Sequence, residues 1–314
     1  MPLYETLASP MPEGAITGEI VTADGVRLRF ARWMPQRGLR GTVALFQGRA
    51  DFIEKYYETI QDLRARGFAV ATLDWRGQGG SQRLLRNPLK GHIRHFNDYQ
   101  KDLQAFARQV LLPDCPAPHY ALCHSMGGLI LLKSVVEGRR WFDRMVLEAP
   151  MLGLKVVPMQ GFIRPLATAL AWSGLARALP PGTRARPVTD IPFARNLNTS
   201  DPVRYALQAE MVRMHPALAL GPPTIGWVHA AFSAMAEMTD PDEIARIRQP
   251  LLIIAGGGDR LVSNRAIEHL SARLVAGGHV VVPAARHELL SERDMLRAQF
   301  WAAFDAFIPG TPAF

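Results

Sequence analysis

Short apolar runs alternate with stretches of helical period through most of this chain, and that rhythm limits the fold more than any other feature. GTVALFQG (41–48) precedes the amphipathic EKYYETIQDLRARG, FAVATLDW (68–75) precedes FNDYQKDLQAFARQVL, and HYALCH (119–124) and RMVLEAP (144–150) flank a helix expected at 128–137. Apolar runs buried on both faces and joined by helices form a mostly parallel sheet with helices on either side. Ahead of them, GEIVTADGVRLRFARW alternates in period two around Asp24-Gly25 and reads as an antiparallel hairpin with a tight turn.

The rhythm breaks after Pro150. Residues 151–236 hold many prolines and no strong strand run, so they read as a mainly helical insertion. Alternation resumes with PLLIIAGGGD (250–259), a helix at 264–276, HVVVPAARHE (279–288) and a closing helix through Phe307. The expected architecture is an α/β core built from 1–150 and 237–314, with a helical cap at 151–236 inserted before the last two strands. A chain of 314 residues that is 48% hydrophobic and 20% charged can bury a core of that size.

Where an apolar strand meets a helix, YALCHSMGG (120–128) carries Ser125. A serine hydroxyl is a weak nucleophile at neutral pH, so it needs a base within hydrogen-bond reach and a third group to orient that base. A sharp strand-to-helix turn lifts the hydroxyl above the sheet. It also brings strand and helix so close that the residues two before and two after the serine must be small. Gly127 and Gly128 meet this on the helix side, while Cys123, compact and apolar but larger than glycine, stands on the strand side. Asp259 follows LLIIA through three glycines and His287 follows HVVVP by a short loop, so both lie past the carboxyl end of a strand, where open α/β sheets bind ligands. Ser125, Asp259 and His287 are therefore the expected nucleophile, orienting acid and base. An acyl-transfer oxyanion needs backbone N–H donors, and these are expected from Met126, just after the serine, and from Arg49 in the loop Gln47-Gly48-Arg49-Ala50. Gly48 lets that loop turn toward the nucleophile and is expected to border the substrate.

Taken together, these segments resemble the lysophospholipase and monoacylglycerol lipase group of the α/β-hydrolase superfamily, also called the serine aminopeptidase-like hydrolases. The likeness runs from about Val21 to Phe307. QGRADFIEKY is similar to that group's oxyanion loop, LDWRGQGGS to its Asp-x-Arg-Gly-x-Gly-x-Ser loop and CHSMGG to its nucleophile elbow. NTSDPVRY and GPPTIGW are similar to its cap segments, and GGGDRLV and RHELLSE to its acid and histidine loops. Gln47 stands where the group often has histidine, and Cys123 replaces the elbow glycine. The resemblance implies an α/β-hydrolase fold and hydrolysis of a lysophospholipid or monoacylglycerol ester through an acyl-serine, with no metal or organic cofactor. It also implies that the loop 74–81 is structural and helps hold the active-site loops. Three alternatives stay open: an aminopeptidase, a general small-ester carboxylesterase, and a noncatalytic lipid- or partner-binding protein on the same fold.

The net charge is +8, and 151–236 holds eight basic residues against three acidic ones, most of the excess. Such a cap suits a neutral or anionic lipid-like ester better than a free amino terminus. Its apolar residues Phe162, Ile163, Leu166, Leu170 and Trp172 are expected to line an acyl channel or rest on an anionic membrane surface, and Phe162 and Trp172 are the expected substrate contacts. No basic run interleaved with aromatics points to nucleic acid. His92 and His95 read as a surface pair on one helical face, because no suitably spaced carboxylate or cysteine completes a metal ligand set. His124 is expected to turn away from the hydroxyl of its neighbour. Gly77-Gln-Gly-Gly80 does not open a helix as a dinucleotide loop does. With only two cysteines, no basic-plus-apolar leader and no uninterrupted apolar run of about 18 residues, the expectation is a cytoplasmic protein, soluble or peripheral to the inner face of a membrane.

Overall fold

The computed structural model describes residues 2–155 and 160–309, without the side chains of 160–162. Among these residues eight strands form one sheet: β1 (Ile16–Val21), β2 (Arg27–Trp33), β3 (Thr42–Phe46), β4 (Ala69–Leu73), β5 (His119–His124), β6 (Arg144–Glu148), β7 (Leu251–Gly256) and β8 (Gly277–Val282). Their order is β1-β2-β4-β3-β5-β6-β7-β8. Pairing is parallel from β4 through β8, and β2 is antiparallel to both β1 and β4. The helices are α1 (Tyr57–Ala65), α2 (Asp98–Phe106), α3 (Leu112–Asp114), α4 (Met126–Val136), α5 (Gln160–Trp172), α6 (Pro202–Met214), α7 (Ile225–Glu237), α8 (Pro241–Ala245), α9 (Asn264–Ser271) and α10 (Asp294–Phe307).

The expected hairpin forms, with Gly25 at φ 78° and the Thr22 N–H donating to the Val26 carbonyl at 3.0 Å. Strands β3, β4 and β5 are buried along their whole length, which is why their sequences are continuously apolar and not alternating. The last strand, β8, departs from that pattern although its HVVV run reads as interior. It closes the sheet with one neighbour, and Val280 and Val281 are 41% and 40% exposed. Helix α9 stops at Ser271, short of the expected 276, because the chain must turn before β8 begins at Gly277.

Between β6 and β7 no described residue joins the sheet. Here α5 packs on α7, and α7 packs on α4, so this segment lies over the helix that starts beside Ser125. Capping explains where its helices begin. Asp201 accepts the Val203 and Arg204 N–H groups at 2.8 and 3.1 Å with Pro202 in the first turn of α6, and Thr224 Oγ1 accepts the Trp227 N–H at the start of α7. No helix among the described residues is long and apolar enough to cross a membrane.

Candidate active site

Ser125 caps the start of α4 with φ 49° and ψ −110°, a backbone conformation that costs a side-chain-bearing residue about 1–3 kcal/mol. The surroundings hold it there. Its N–H donates to the Glu148 carbonyl at 2.9 Å, and its carbonyl accepts from Gly128 and Met151, both at 3.0 Å. The turn depends on glycine at the start of α4: a Cβ on Gly127 would sit 2.7 Å from the Gln47 carbonyl oxygen and 2.8 Å from that of Phe46. Cys123, at the strand-side position, is fully buried in register with Phe46 and Leu147. Burial pushes its thiol well above the usual range, so it acts as a small apolar side chain.

From the carboxyl ends of β7 and β8 the chain brings Asp259 and His287 to this serine. His287 Nδ1 lies 2.7 Å from Asp259 Oδ2, and Nε2 lies 3.0 Å from Ser125 Oγ. All three side chains are buried. Burial works against ionising Asp259, but its hydrogen bond from His287 and the Leu261 and Val262 N–H groups, at 2.7 and 3.0 Å on Oδ1, outweigh this and hold its carboxyl below the usual range. An ionised carboxylate only accepts, so Nδ1 carries the imidazole proton and Nε2 is free to accept from the serine hydroxyl.

Behind this chain stands His124, whose ring centroid is 4.8 Å from that of His287. Its Nδ1 approaches Glu148 Oε2 at 3.2 Å without the alignment of a hydrogen bond. Burial disfavours charge on His124, but the Glu148 and Asp51 carboxylates prevail and raise its pKa. The ring lies against Gly48, where an added Cβ would come within 2.7 Å of its Cδ2.

The loop after β3 carries the expected second oxyanion donor. Among the described residues neither the Arg49 nor the Met126 N–H has a hydrogen-bond acceptor in the protein. Gly48, expected to border the substrate, has both its polar backbone groups engaged: its N–H donates to Asp51 Oδ2 at 2.9 Å and its carbonyl accepts from Gln78 Nε2 at 2.8 Å. It shapes the loop and offers a substrate no free donor. Gln78 also donates to the Asp51 carbonyl and accepts the Ala50 N–H, both at 3.2 Å, while Trp75 Nε1 donates to the Gln47 carbonyl at 3.0 Å. The resemblance implied that the loop 74–81 helps hold the active-site loops, but sequence reasoning did not single out Gln78, whose signal was its place inside LDWRGQGGS.

That same segment is anchored from below. Asp74 accepts from Arg29 Nε and the Gly80 N–H, both at 2.7 Å, and from the Ile53 N–H at 3.0 Å. Arg29 forks onto Glu54 at 2.7 and 2.8 Å, and neither side chain of that pair is exposed. A Cβ on Gly79 would fall 2.2 Å from Asp74 Cγ, so this glycine follows from the Asp74 network and not from any nucleotide phosphate.

Other sequence expectations fall elsewhere. Phe162 has its side chain outside the described residues. Trp172 ends α5 and is 82% exposed, open to solvent where an enclosed substrate contact was expected. His92 and His95 are not on a helix: His92 is half-buried with Nδ1 2.9 Å from Thr224 Oγ1, and only His95 is exposed. Among the described residues no group of three or more His, Cys, Asp or Glu side chains is arranged to hold a metal ion.

A mostly parallel sheet with Ser125 at the strand-to-helix turn after β5, and Asp259 and His287 past the ends of β7 and β8, defines an α/β-hydrolase. Within that class the chain belongs to the family described as Serine aminopeptidase, S33, whose model matches residues 38–294. It is 33% identical over 291 residues to lysophospholipase L2 of Escherichia coli, covering 89% of this chain and 83% of that protein. A monoacylglycerol lipase of Mycolicibacterium smegmatis is 26% identical over 272 residues, covering 85% of this chain and 88% of the relative. In fold the chain is similar to a soluble variant of monoglyceride lipase from Saccharomyces cerevisiae solved with a substrate analog, at TM-score 0.73 and 19% identity over 99% of this chain and 100% of that one.

Proposed function

We propose that this protein is a serine ester hydrolase that cleaves the acyl ester of a lipid-like substrate, a lysophospholipid or a monoacylglycerol, through an acyl-serine on Ser125. The observation behind this is the continuous hydrogen bonding from Asp259 through His287 to Ser125. The names of the lysophospholipase and monoacylglycerol lipase relatives support the substrate class.

In this mechanism Ser125 Oγ attacks the ester carbonyl carbon as its proton passes to His287 Nε2, and Asp259 stabilises the imidazolium. The carbonyl oxygen takes the negative charge and accepts from the Met126 and Arg49 N–H groups, which have no acceptor among the described residues to give up. Collapse of the intermediate breaks the bond to the glycerol oxygen, which leaves with the proton from Nε2. A water then loses a proton to Nε2 and attacks the acyl-serine; collapse releases the fatty acid and returns the proton to Ser125.

An aminopeptidase on the same fold would need a free carboxylate to receive the substrate's ammonium group. The cavity beside the triad has two, Asp51 and Glu288, and both are bound to Lys55 Nζ, at 2.6 and 2.8 Å. Ester hydrolysis is the better fit. We assign 151–236 the role of cap. Around α5 it exposes Leu166, Trp172 and Leu175 beside Arg164 and Arg177, a mixture suited to resting on an anionic membrane. The test is a substrate panel of lysophospholipids, monoacylglycerols and aminoacyl amides, with and without anionic vesicles. Fatty-acyl ester cleavage stimulated by vesicles is expected; preferential amide cleavage would overturn the assignment.

A further inference from the structure

A cavity of about 350 Å³ lies between core and cap, lined among others by Arg49 of the oxyanion loop, Leu261 two residues after Asp259, Glu288 next to His287, and Arg195 and Asn198 of the cap segment. Its position follows from the loops that build it, since three of them carry the proposed oxyanion donor, the acid and the base. Its charges do not cancel locally. Lys55 engages both carboxylates, Asp51 and Glu288, directly, and with Arg49 and Arg195 the lining holds three cations against two anions. Among the described residues no carboxylate forms an ion pair with either Arg49 or Arg195.

Arg49 is the less ordinary of the two. A guanidinium that leaves water without a counter-ion is unfavourable unless something else compensates. Arg49 reaches from the core into the cap, where Nη2 donates to the Gly221 carbonyl and the guanidinium carbon lies 5.2 Å from the Trp227 ring centroid. Its Nε is buried with no acceptor among the described residues. Burial lowers its pKa to about 10, with Tyr99 and Asp51 acting in the opposite direction, so it stays charged at neutral pH. One carbonyl and one aromatic face orient this cation without neutralising it. Arg195 is exposed on the same cavity's wall.

We propose that Arg49, with Arg195 as an outer contact, forms a phosphate subsite that holds the head group of a lysophospholipid while the Arg49 backbone serves the oxyanion. A planar guanidinium matches phosphate oxygens in geometry as well as charge. The subsite makes the enzyme discriminate a glycerophosphate leaving group from plain glycerol. This inference rests on the ester-hydrolase reading above and adds the preference between its two substrate classes.

The experiment compares kcat/KM for a lysophosphatidylglycerol and a monoacylglycerol of the same acyl chain, both below their aggregation concentrations, in wild type, Arg49→Gln, Arg49→Lys and Arg195→Gln. Wild type is expected to prefer the lysophospholipid. Arg49→Gln should lower the lysophospholipid-to-monoacylglycerol ratio by about ten- to a hundredfold, the range for losing a charge-assisted hydrogen bond, mainly through KM. Arg49→Lys should retain most of the ratio, and Arg195→Gln should lower it several-fold. In wild type, glycerol 3-phosphate should inhibit monoacylglycerol hydrolysis competitively where glycerol does not. That arm needs no variant to fold, and an equal effect of inorganic phosphate would mark a site for free phosphate and overturn the head-group role. An unchanged ratio in Arg49→Gln, with both substrates slowed alike, would also overturn it, leaving the side chain as a brace between loop and cap. A wild type that cleaves neither lipid would instead overturn the ester-hydrolase reading itself.

Discussion

Gln78 Nε2 donates to the Gly48 carbonyl at 2.8 Å and thereby ties the loop after β4 to the loop after β3. The same side chain holds the Asp51 carbonyl and the Ala50 N–H, so one amide grips the proposed oxyanion loop on both sides of Arg49. Gln78→Ala removes all three contacts without touching the triad. Steady-state kinetics on a fatty-acyl ester should show kcat reduced about ten- to a hundredfold, the penalty for a donor displaced by an ångström, with KM little changed. An unaltered kcat would mean that the loop keeps its shape without Gln78.

Arg29 bridges Glu54 and Asp74 in a site closed to solvent. Arg29→Met leaves two carboxylates buried without their counter-charge, which costs on the order of 3–5 kcal/mol. Urea denaturation should report a loss of that size; a loss below about 1 kcal/mol would mean that water replaces the guanidinium.

Asp259 has a carboxyl held below its ordinary range in the folded protein. A depressed folded pKa adds stability that is present above the unfolded value, about 4, and is lost as pH falls through the depressed value. Thermal melts of the wild type should therefore drop on acidification below about pH 4, and Asp259→Asn should have a shallower acid limb. The same variant should lower kcat on the order of 10⁴-fold, because the amide favours the wrong imidazole tautomer. Parallel acid limbs for the two proteins would contradict the assigned hydrogen bond.

Gln47 is fully buried, and neither atom of its amide has a hydrogen-bond partner among the described residues. Replacing an unsatisfied polar group by an apolar one of similar shape removes its desolvation penalty. Gln47→Met should leave the melting temperature unchanged or raise stability by up to about 1–3 kcal/mol. A clear destabilisation would place an ordered water on that amide.

Much of this architecture is legible in the sequence because the relevant signals are local. Continuous apolar runs marked β3 to β7 since both faces of those strands are covered; Ser125 and Asp259 follow two of them and His287 follows the edge strand β8, so the fold brings together residues that strand ends already singled out. The missing features depend on tertiary context. Exposure of β8 follows from its place at the sheet edge, which sequence pattern cannot distinguish from an interior strand. His92 reads as helical by spacing, yet Thr224 of a distant segment fixes it in a loop. The loop 74–81 reads as a brace by resemblance, but which of its residues does the bracing shows only when the chain places Gly48 beside Gln78. Cys123 shows the opposite case: an apparent defect in the motif becomes a packing variant once Phe46 and Leu147 are seen beside it.

Ser125 is the proposed nucleophile, activated by His287 at 3.0 Å. Labelling the intact protein with a fluorophosphonate and mapping the adduct by mass spectrometry tests it most directly. A single phosphonate is expected on Ser125, absent in Ser125→Ala and formed slower by several powers of ten in His287→Ala. Labelling at another residue, or an undiminished rate in His287→Ala, would contradict it.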